Sequence, residues 1–280
     1  MKYLYLIRAH QWLKNLILFF PPLLGGVLFV PGVLQKGLVP LGAFCLASSA
    51  AYVFNDIKDV DQDRRHPYKK NRPIANGSIT VFRSTIIAVC LLVGSLLLSI
   101  QQPSPFLLWL LAYLTLSFAY SVVLKKLPVF DLFCISSGFV FRLFAGGTAF
   151  GVVVSDWLFL SVLLLAVFLS SGKRLSEKMV LGAPSNYHRK VLTEYPEGAL
   201  EGFMYMSGAS VLVTYTMYAI TMDRLVLTVP LCCFGLFRYV LLVKQGKSGD
   251  PTDSLTRDPV MFMVGLTWIV MVGFVMNFKF

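Results

Sequence analysis

Acidic side chains are scarce in this 280-residue chain, with 14 Asp and Glu against 25 Lys and Arg. Histidine is scarcer still: His10, His66 and His188 are too scattered for a metal cluster or proton relay, and suit the membrane interface better than catalysis. Five cysteines, Cys45, Cys90, Cys134, Cys232 and Cys233, lie in or beside apolar runs without ligand spacing to histidine. Neither a zinc site nor a disulfide framework is implied. Ser-His-Asp and Cys-His arrangements are missing, which removes the usual activated nucleophiles. The short alternating segments of a strand barrel are missing too. What fills the chain is apolar: 56% hydrophobic, 14% charged, with a mean hydropathy of +0.71. A soluble domain of this length could not hide so much apolar surface, so the solvent is lipid.

Runs near the ~20 residues that span a bilayer fall at 13–34, 38–56, 81–100, 105–124, 127–150, 156–174, 202–222, 225–243 and 259–277. The expected architecture is an all-α integral membrane bundle in which residues 1–280 form one transmembrane domain. Pro21, Pro22 and Pro31 interrupt the first span and blur its ends. Twenty Lys and Arg fall at the N-terminus or in the connections after spans 2, 4, 6 and 8; the opposite face carries three, Lys36, Arg224 and Lys279. By the positive-inside rule the N-terminus is cytoplasmic and, after nine spans, the C-terminus lies outside in a cell membrane. The charged start before an apolar run reads as a retained anchor, since cleavage would remove the first span. The net charge of +11 thus belongs to one face, where it fits membrane lipids or phosphorylated substrates and not nucleic acid. The sequence leaves open whether the protein is a homo-oligomer.

Two connections are long and polar, 57–80 and 175–200, separated by four spans. That spacing suggests a pseudo-repeat whose loops meet over a common cavity. The first opens with NDIKDVDQDRRHPYKKNRPIANG, residues 55 to 77. If the helix of span 2 runs on to Asp63, then Asp56, Asp59 and Asp63 share one face, Asn55 borders it, and Asp61 points away. Three carboxylates on one stripe repel each other unless a cation sits between them. Oxygen donors without histidine or cysteine suit Mg²⁺. A solvated loop whose acids merely balance its lysines is the alternative, but the pattern begins inside a span, where charge is costly and usually functional.

NDIKDVDQD followed by RPIANG resembles the first aspartate-rich motif of the UbiA superfamily, membrane prenyltransferases with nine helices. The resemblance implies a UbiA-like bundle with a cytoplasm-facing cavity, in which that motif binds Mg²⁺ and a diphosphate. Aromatic prenyltransferases of the superfamily carry a second aspartate pair after helix 6. Here the same place reads SGKRLSEK, with Lys173, Arg174, Glu177 and Lys178. One acid motif facing a basic one suits substrates with more phosphates to hold. With HPYKKNRPIANG, AYSVVLKKLPVFDLFCISSGFVFRLFAGG and, more weakly, QWLKN around Lys14, this resembles the polyprenyl-phosphate phosphoribosyltransferase branch. Leu175 departs from it, standing where a tyrosine is expected. Members of that branch move 5-phosphoribosyl from phosphoribosyl pyrophosphate to a polyprenyl phosphate such as decaprenyl phosphate.

On that resemblance Asn55, Asp56, Asp59 and Asp63 are assigned to Mg²⁺ and pyrophosphate, Lys173 and Arg174 to phosphates, and Glu177 to a second metal or the ribose. Arg65, Lys69, Lys70 and Arg72 are candidates for the ribose 5-phosphate, with solvation the alternative for each. Tyr120 and Lys125 end span 4 within reach of substrate, and Lys14 joins the substrate-binding set. Asp131 and Arg142 lie on one stripe of span 5 with Ile135 and Gly138. Either both pair structurally with neighbouring helices, or Asp131, near the cytoplasmic end, lines the cavity while Arg142 fixes span packing. The competing readings are an aromatic prenyltransferase using a prenyl diphosphate, which SGKRLSEK disfavours, and a transporter or scaffold, which the position of the acid stripe at a helix end disfavours.

Overall fold

A computed structural model describes residues 2–66, 68–181, 190–222, 224–247 and 249–277. His188 and residues 182–189 of the second polar loop lie outside the described residues. The described chain is helical. The first expected span, 13–34, is not one helix: it is broken among α1 (Lys2–Leu6), a 3-10 helix (Ala9–Phe19), α2 (Phe20–Leu24) and α3 (Val33–Lys36). Arg8 takes a left-handed φ of 52° that stops α1, and Pro21 and Pro22 open α2 where their missing N–H groups cost nothing. A 3-10 helix rises about 2.0 Å per residue, so this segment and α2 together reach roughly 30 Å. That is the thickness of a hydrocarbon core.

The next elements are α4 (Leu38–Lys58), α5 (Val60–Arg65), a 3-10 turn at Lys69–Asn71, α6 (Val81–Ser99), α7 (Ser104–Val122), a second turn at Leu124–Lys126, and α8 (Phe130–Phe150). Then come α9 (Asp156–Leu181), α10 (Lys190–Glu194), α11 (Ala199–Ile220), a 3-10 turn at Leu225–Thr228, α12 (Val229–Lys244), α13 (Pro251–Arg257) and α14 (Pro259–Asn277). Seven of these stretches are long and apolar enough to cross a membrane, matching every expected span except the first and the seventh. The seventh corresponds to α11, which is long enough but carries Ser207, Ser210, Thr214 and Thr216 among its apolar residues.

Burial sorts the helices into two shells. The most apolar windows of α4, α8 and α9 are 61%, 56% and 61% buried, whereas those of α6 and α14 are each 11% buried. α6 and α14 are nonetheless the more apolar, with Phe82, Leu97 and Val270 outward, as lipid contact requires. The inner helices approach closely because they are built of small residues: Ala43, Ala47, Ala50 and Ala51 on α4. At Gly146 of α8 a side chain would meet the Leu18 carbonyl oxygen of the N-terminal 3-10 helix, so glycine lets two backbones touch. α4, α7 and α8 pack with the N-terminal segment, and α9, α11 and α12 form the second half of the bundle. The two halves meet along α8 and α9.

A paired-charge cavity as the candidate active site

The acid stripe forms because the helix scarcely breaks. Asp59 caps α4 with φ −97° and ψ 5°, yet its N–H donates to Asn55 O and its carbonyl accepts from Asp63 N. The i to i+4 ladder thus continues into α5, and the expected register holds. Asp56 and Asp63 are both 3% exposed, while the Asp61 side chain is 82% exposed and pairs with Arg64. RPIANG supplies the first counter-charge. Ile74 and Ile79 bury against Leu6 and Val53, and Asn76 accepts from Ser78 N to fold the turn. Anchored there, Arg72 reaches back, and its Nη1 donates to Asp56 Oδ1 at 2.9 Å and Asp63 Oδ2 at 2.6 Å. Arg8 donates to the same Asp56 oxygen. Lys125 donates to Asp59 Oδ1 and, at 3.2 Å, to Asn55 Oδ1. Burial pushes the Asp63 carboxyl above its ordinary range, with the Arg72 guanidinium opposing.

From α9, the same cavity receives the inverse arrangement. Arg174 is 2% exposed; its Nε donates to Asp131 Oδ2 at 2.7 Å, Nη1 to Glu177 Oε2 at 2.7 Å, and Nη2 to the Tyr120 hydroxyl at 2.9 Å. Asp131 is wholly buried in the first turn of α8, where the helix dipole also favours a carboxylate. Its other oxygen accepts from Tyr195 Oη, which in turn accepts from Val129 N at 2.7 Å. Val129 has φ 68°, a strained conformation for a β-branched residue, and Tyr195 holds it. Lys173 donates to Asp250 Oδ2 at 2.6 Å, and Lys14 lies 3.7 Å from the same oxygen. Burial alone would raise the Asp250 carboxyl, but the two ammonium groups outweigh it and hold the pKa below the usual carboxylate range.

Between these faces lies a cavity of about 240 Å³. Of the predicted site residues, Asn55, Asp59, Lys69, Arg72, Tyr120, Lys173, Arg174, Glu177 and Lys14 line it. Asp56, Asp63 and Lys125 do not; they grip the residues that do. Arg65 and Lys70 are exposed and outside it. Asp131 was expected to line the cavity and does not: Arg174 and Tyr195 consume both its oxygens. Arg142, expected to serve packing, does line the cavity. Leu175, in place of a tyrosine, is 6% exposed and packs in the core between α9, α11 and α12.

Arg8, Asn15, Tyr195 and Asp250 escaped the sequence reading. Asp250 had a local signal, since an aspartate before Pro-Thr is a helix N-cap, and it accepts from Thr252 N at 3.0 Å. Nothing near Tyr195 announces its partner 64 residues away.

Seven basic side chains and two carboxylates line the cavity, so its charge is net positive and suited to anions. Asn55 Oδ1 and Asp59 Oδ1 converge on one cation, the Lys125 ammonium. Hard oxygens converging on a cation at a cavity wall fit Mg²⁺, with Lys125 as the stand-in. No group of three or more His, Cys, Asp or Glu among the described residues is placed to hold a metal alone. An ion here would be completed by substrate oxygens or water, as Mg²⁺ usually is.

Residues 18–266 match the UbiA prenyltransferase family. The chain belongs to that family. Decaprenyl-phosphate phosphoribosyltransferase of Mycobacterium tuberculosis is 32% identical, over 95% of this chain and 91% of its own. The protein of the same name from Mycolicibacterium smegmatis is 30% identical, over 98% and 92%. A UbiA homolog from Archaeoglobus fulgidus bound to DMAPP and Mg²⁺ superposes with a TM-score of 0.76 at 21% identity, covering 99% of both chains. The likeness in structure fixes the fold, and this UbiA-family protein is a membrane transferase.

Proposed function

We propose that the protein transfers 5-phosphoribosyl from phosphoribosyl pyrophosphate to a polyprenyl phosphate such as decaprenyl phosphate, releasing pyrophosphate. The observation that carries this reading is that Lys173 and Arg174 line the same cavity as Asn55 and Asp59. A prenyl diphosphate brings one diphosphate, which an aspartate pair with metal ions can hold. A phosphoribosyl donor and a lipid phosphate together bring more phosphate, for which a cationic wall is the better match. The two mycobacterial relatives bear the name of this activity.

The ribose C1–O bond to pyrophosphate breaks, and an oxygen of the lipid phosphate forms the new bond to C1. That oxygen is already anionic near neutral pH, so no general base is required, in keeping with a cavity that no histidine among the described residues lines. Asn55 and Asp59 would hold Mg²⁺, with Asp56 and Asp63 contributing to its field; the ion would stabilise charge on the departing pyrophosphate. Arg72 and Lys69 stand where they can take leaving-group or donor phosphate charge. Arg174 is fixed by three partners and needs no reorganisation to meet an anion, which is how preorganised charge lowers a barrier.

The reading includes nine membrane crossings, with the N-terminal 3-10 segment and α11 completing the seven apolar helices. The cavity mouth and N-terminus then face the cytoplasm, where a soluble sugar phosphate is available. In a background without the five native cysteines, a cysteine replacing Lys70 should react with an impermeant reagent only from the cytoplasmic side, and one replacing Gln102 only from outside. The reaction is tested with purified protein, Mg²⁺, phosphoribosyl pyrophosphate and a polyprenyl phosphate. A lipid-linked phosphoribose and free pyrophosphate should appear by mass spectrometry, and chelation should stop both. No product at any metal concentration overturns the reading.

A further inference from the structure

Arg8, Lys14, Arg72, Lys173 and Arg174 line the cavity with carboxylate partners, whereas Arg142 differs. It sits near the middle of α8, 5% exposed, and no carboxylate among the described residues lies within 4.0 Å of it. Its Nε donates to Asn15 Oδ1 at 2.7 Å and its Nη1 to the Gly138 carbonyl at 2.7 Å. The guanidinium lies 4.3 Å from the centroid of the Tyr113 ring, with Phe44 and Phe139 at 5.8 and 5.9 Å. Asn15 is itself locked, because its Nδ2 is spent on Cys45 Sγ and Ser48 Oγ, which leaves its oxygen for Arg142.

This environment solvates a positive charge without cancelling it. An ionised side chain within a span is costly, and where only neutrality matters a carboxylate partner is the direct solution. Neutral acceptors and ring faces instead keep the guanidinium rigid and charged, open to a further anion at the cavity wall. Its depth is set by the helix. Gly138 is seven residues beyond Asp131, so the guanidinium stands about 10 Å farther along α8 than the Asp131–Arg174 pair. Lys14, next to Asn15 in the chain, lines the same cavity.

We propose that Arg142, held by Asn15 and Tyr113, is the receptor for a phosphate monoester at the end of the cavity away from the aspartates. The inference rests on the proposed reaction, in which the donor's 5-phosphate and the lipid headgroup are both phosphate monoesters. One of them seats on Arg142 while the pyrophosphate occupies the aspartate end.

The test uses purified full-length protein in lipid nanodiscs and two probes, ribose 5-phosphate for the donor and farnesyl phosphate for the acceptor. Binding is measured by equilibrium dialysis for the unaltered protein, Arg142→Gln and Gly138→Asp. Gly138→Asp retains the guanidinium and gives it an internal counter-anion; a Cβ at that position would meet nothing closer than the Arg142 Nη1 itself, at 3.4 Å. Both variants should weaken one probe at least tenfold and leave the other within twofold, with Arg142→Lys intermediate. The affected probe names the phosphate. In turnover, the KM of the matching substrate should rise at least tenfold, with a smaller change in kcat. If folded Gly138→Asp or Arg142→Gln binds both probes within twofold of the unaltered protein, Arg142 serves packing alone and the inference is wrong. Failure of the unaltered protein to bind either probe overturns it as well. Probe binding that depends on Arg142, without turnover of the unaltered protein, would instead fail the reaction and keep the receptor.

Discussion

The two walls of the cavity solve opposite electrostatic problems in the same way. On one, three aspartates of a single helical stripe are neutralised by Arg8, Arg72 and Lys125 from three other parts of the chain. On the other, Lys173 and Arg174 of α9 are neutralised by Asp250 and Asp131, brought from 77 and 43 residues away. In the proposed reaction the first wall offers carboxylates to a metal ion, and the second offers cations to phosphates. In both, charge is held by partners within the protein, so neither wall presents bare ions. In that reaction Lys173 would exchange Asp250 for a phosphate while Arg174 stays fixed by its three partners.

The largest effects should come from removing a charge that anchors either wall. Asp59→Asn loses both the cavity-facing carboxylate and the partner of Lys125; turnover should fall by at least a hundredfold, read from product formation at saturating Mg²⁺. Asp56→Asn and Asp63→Asn should follow, since each loosens Arg72. Loss of a similar size at Asp61→Asn, which faces solvent, would dissolve the distinction between stripe and loop. On the basic wall, Arg174→Met leaves Asp131 buried without its cation and should destabilise the fold by roughly 3–5 kcal/mol, visible as a lower melting temperature in detergent.

Smaller effects sharpen the comparison. Lys173→Ala should weaken phosphate binding by about 1.5–3 kcal/mol, the scale of a charge-assisted contact, while the fold stays near its original stability because Lys14 still faces Asp250. Smallest of all, Tyr195→Phe removes one donor to Asp131 and one acceptor for Val129, worth about 1 kcal/mol. It should lower kcat through Arg174 more than it raises any KM. An unchanged kcat would mean that Arg174 is fixed without it.

The acid wall was readable in the sequence because its logic is local. Spacing of three and four residues places Asp56, Asp59 and Asp63 together and sends Asp61 out, and the helix obeys despite its break at Asp59. Apolar runs gave seven helices that are long and apolar enough to span a membrane. In the first run Pro21 and Pro22 marked an interruption, but nothing in the sequence showed that the stretch before them, entered from Arg8 at positive φ, would be a 3-10 helix. The basic wall was readable only as residue types. Its geometry depends on pairings across the bundle, Asp131 with Tyr195 and Lys173 with Asp250, which leave no periodic trace. Asp131, near the cytoplasmic end of span 5, reads equally as a cavity residue or as a structural partner of neighbouring helices; burial and its bonds to Arg174 and Tyr195 make it the partner.

Donor choice tests the paired walls most directly. The purified protein is offered phosphoribosyl pyrophosphate with polyprenyl phosphate, and separately a prenyl diphosphate with a hydroxybenzoate-type acceptor, and kcat/KM is measured for each pair. A cationic second wall predicts turnover of the ribose donor alone, with Lys173→Ala slowing it. Prenylation of the aromatic ring, with the ribose donor ignored, would contradict it.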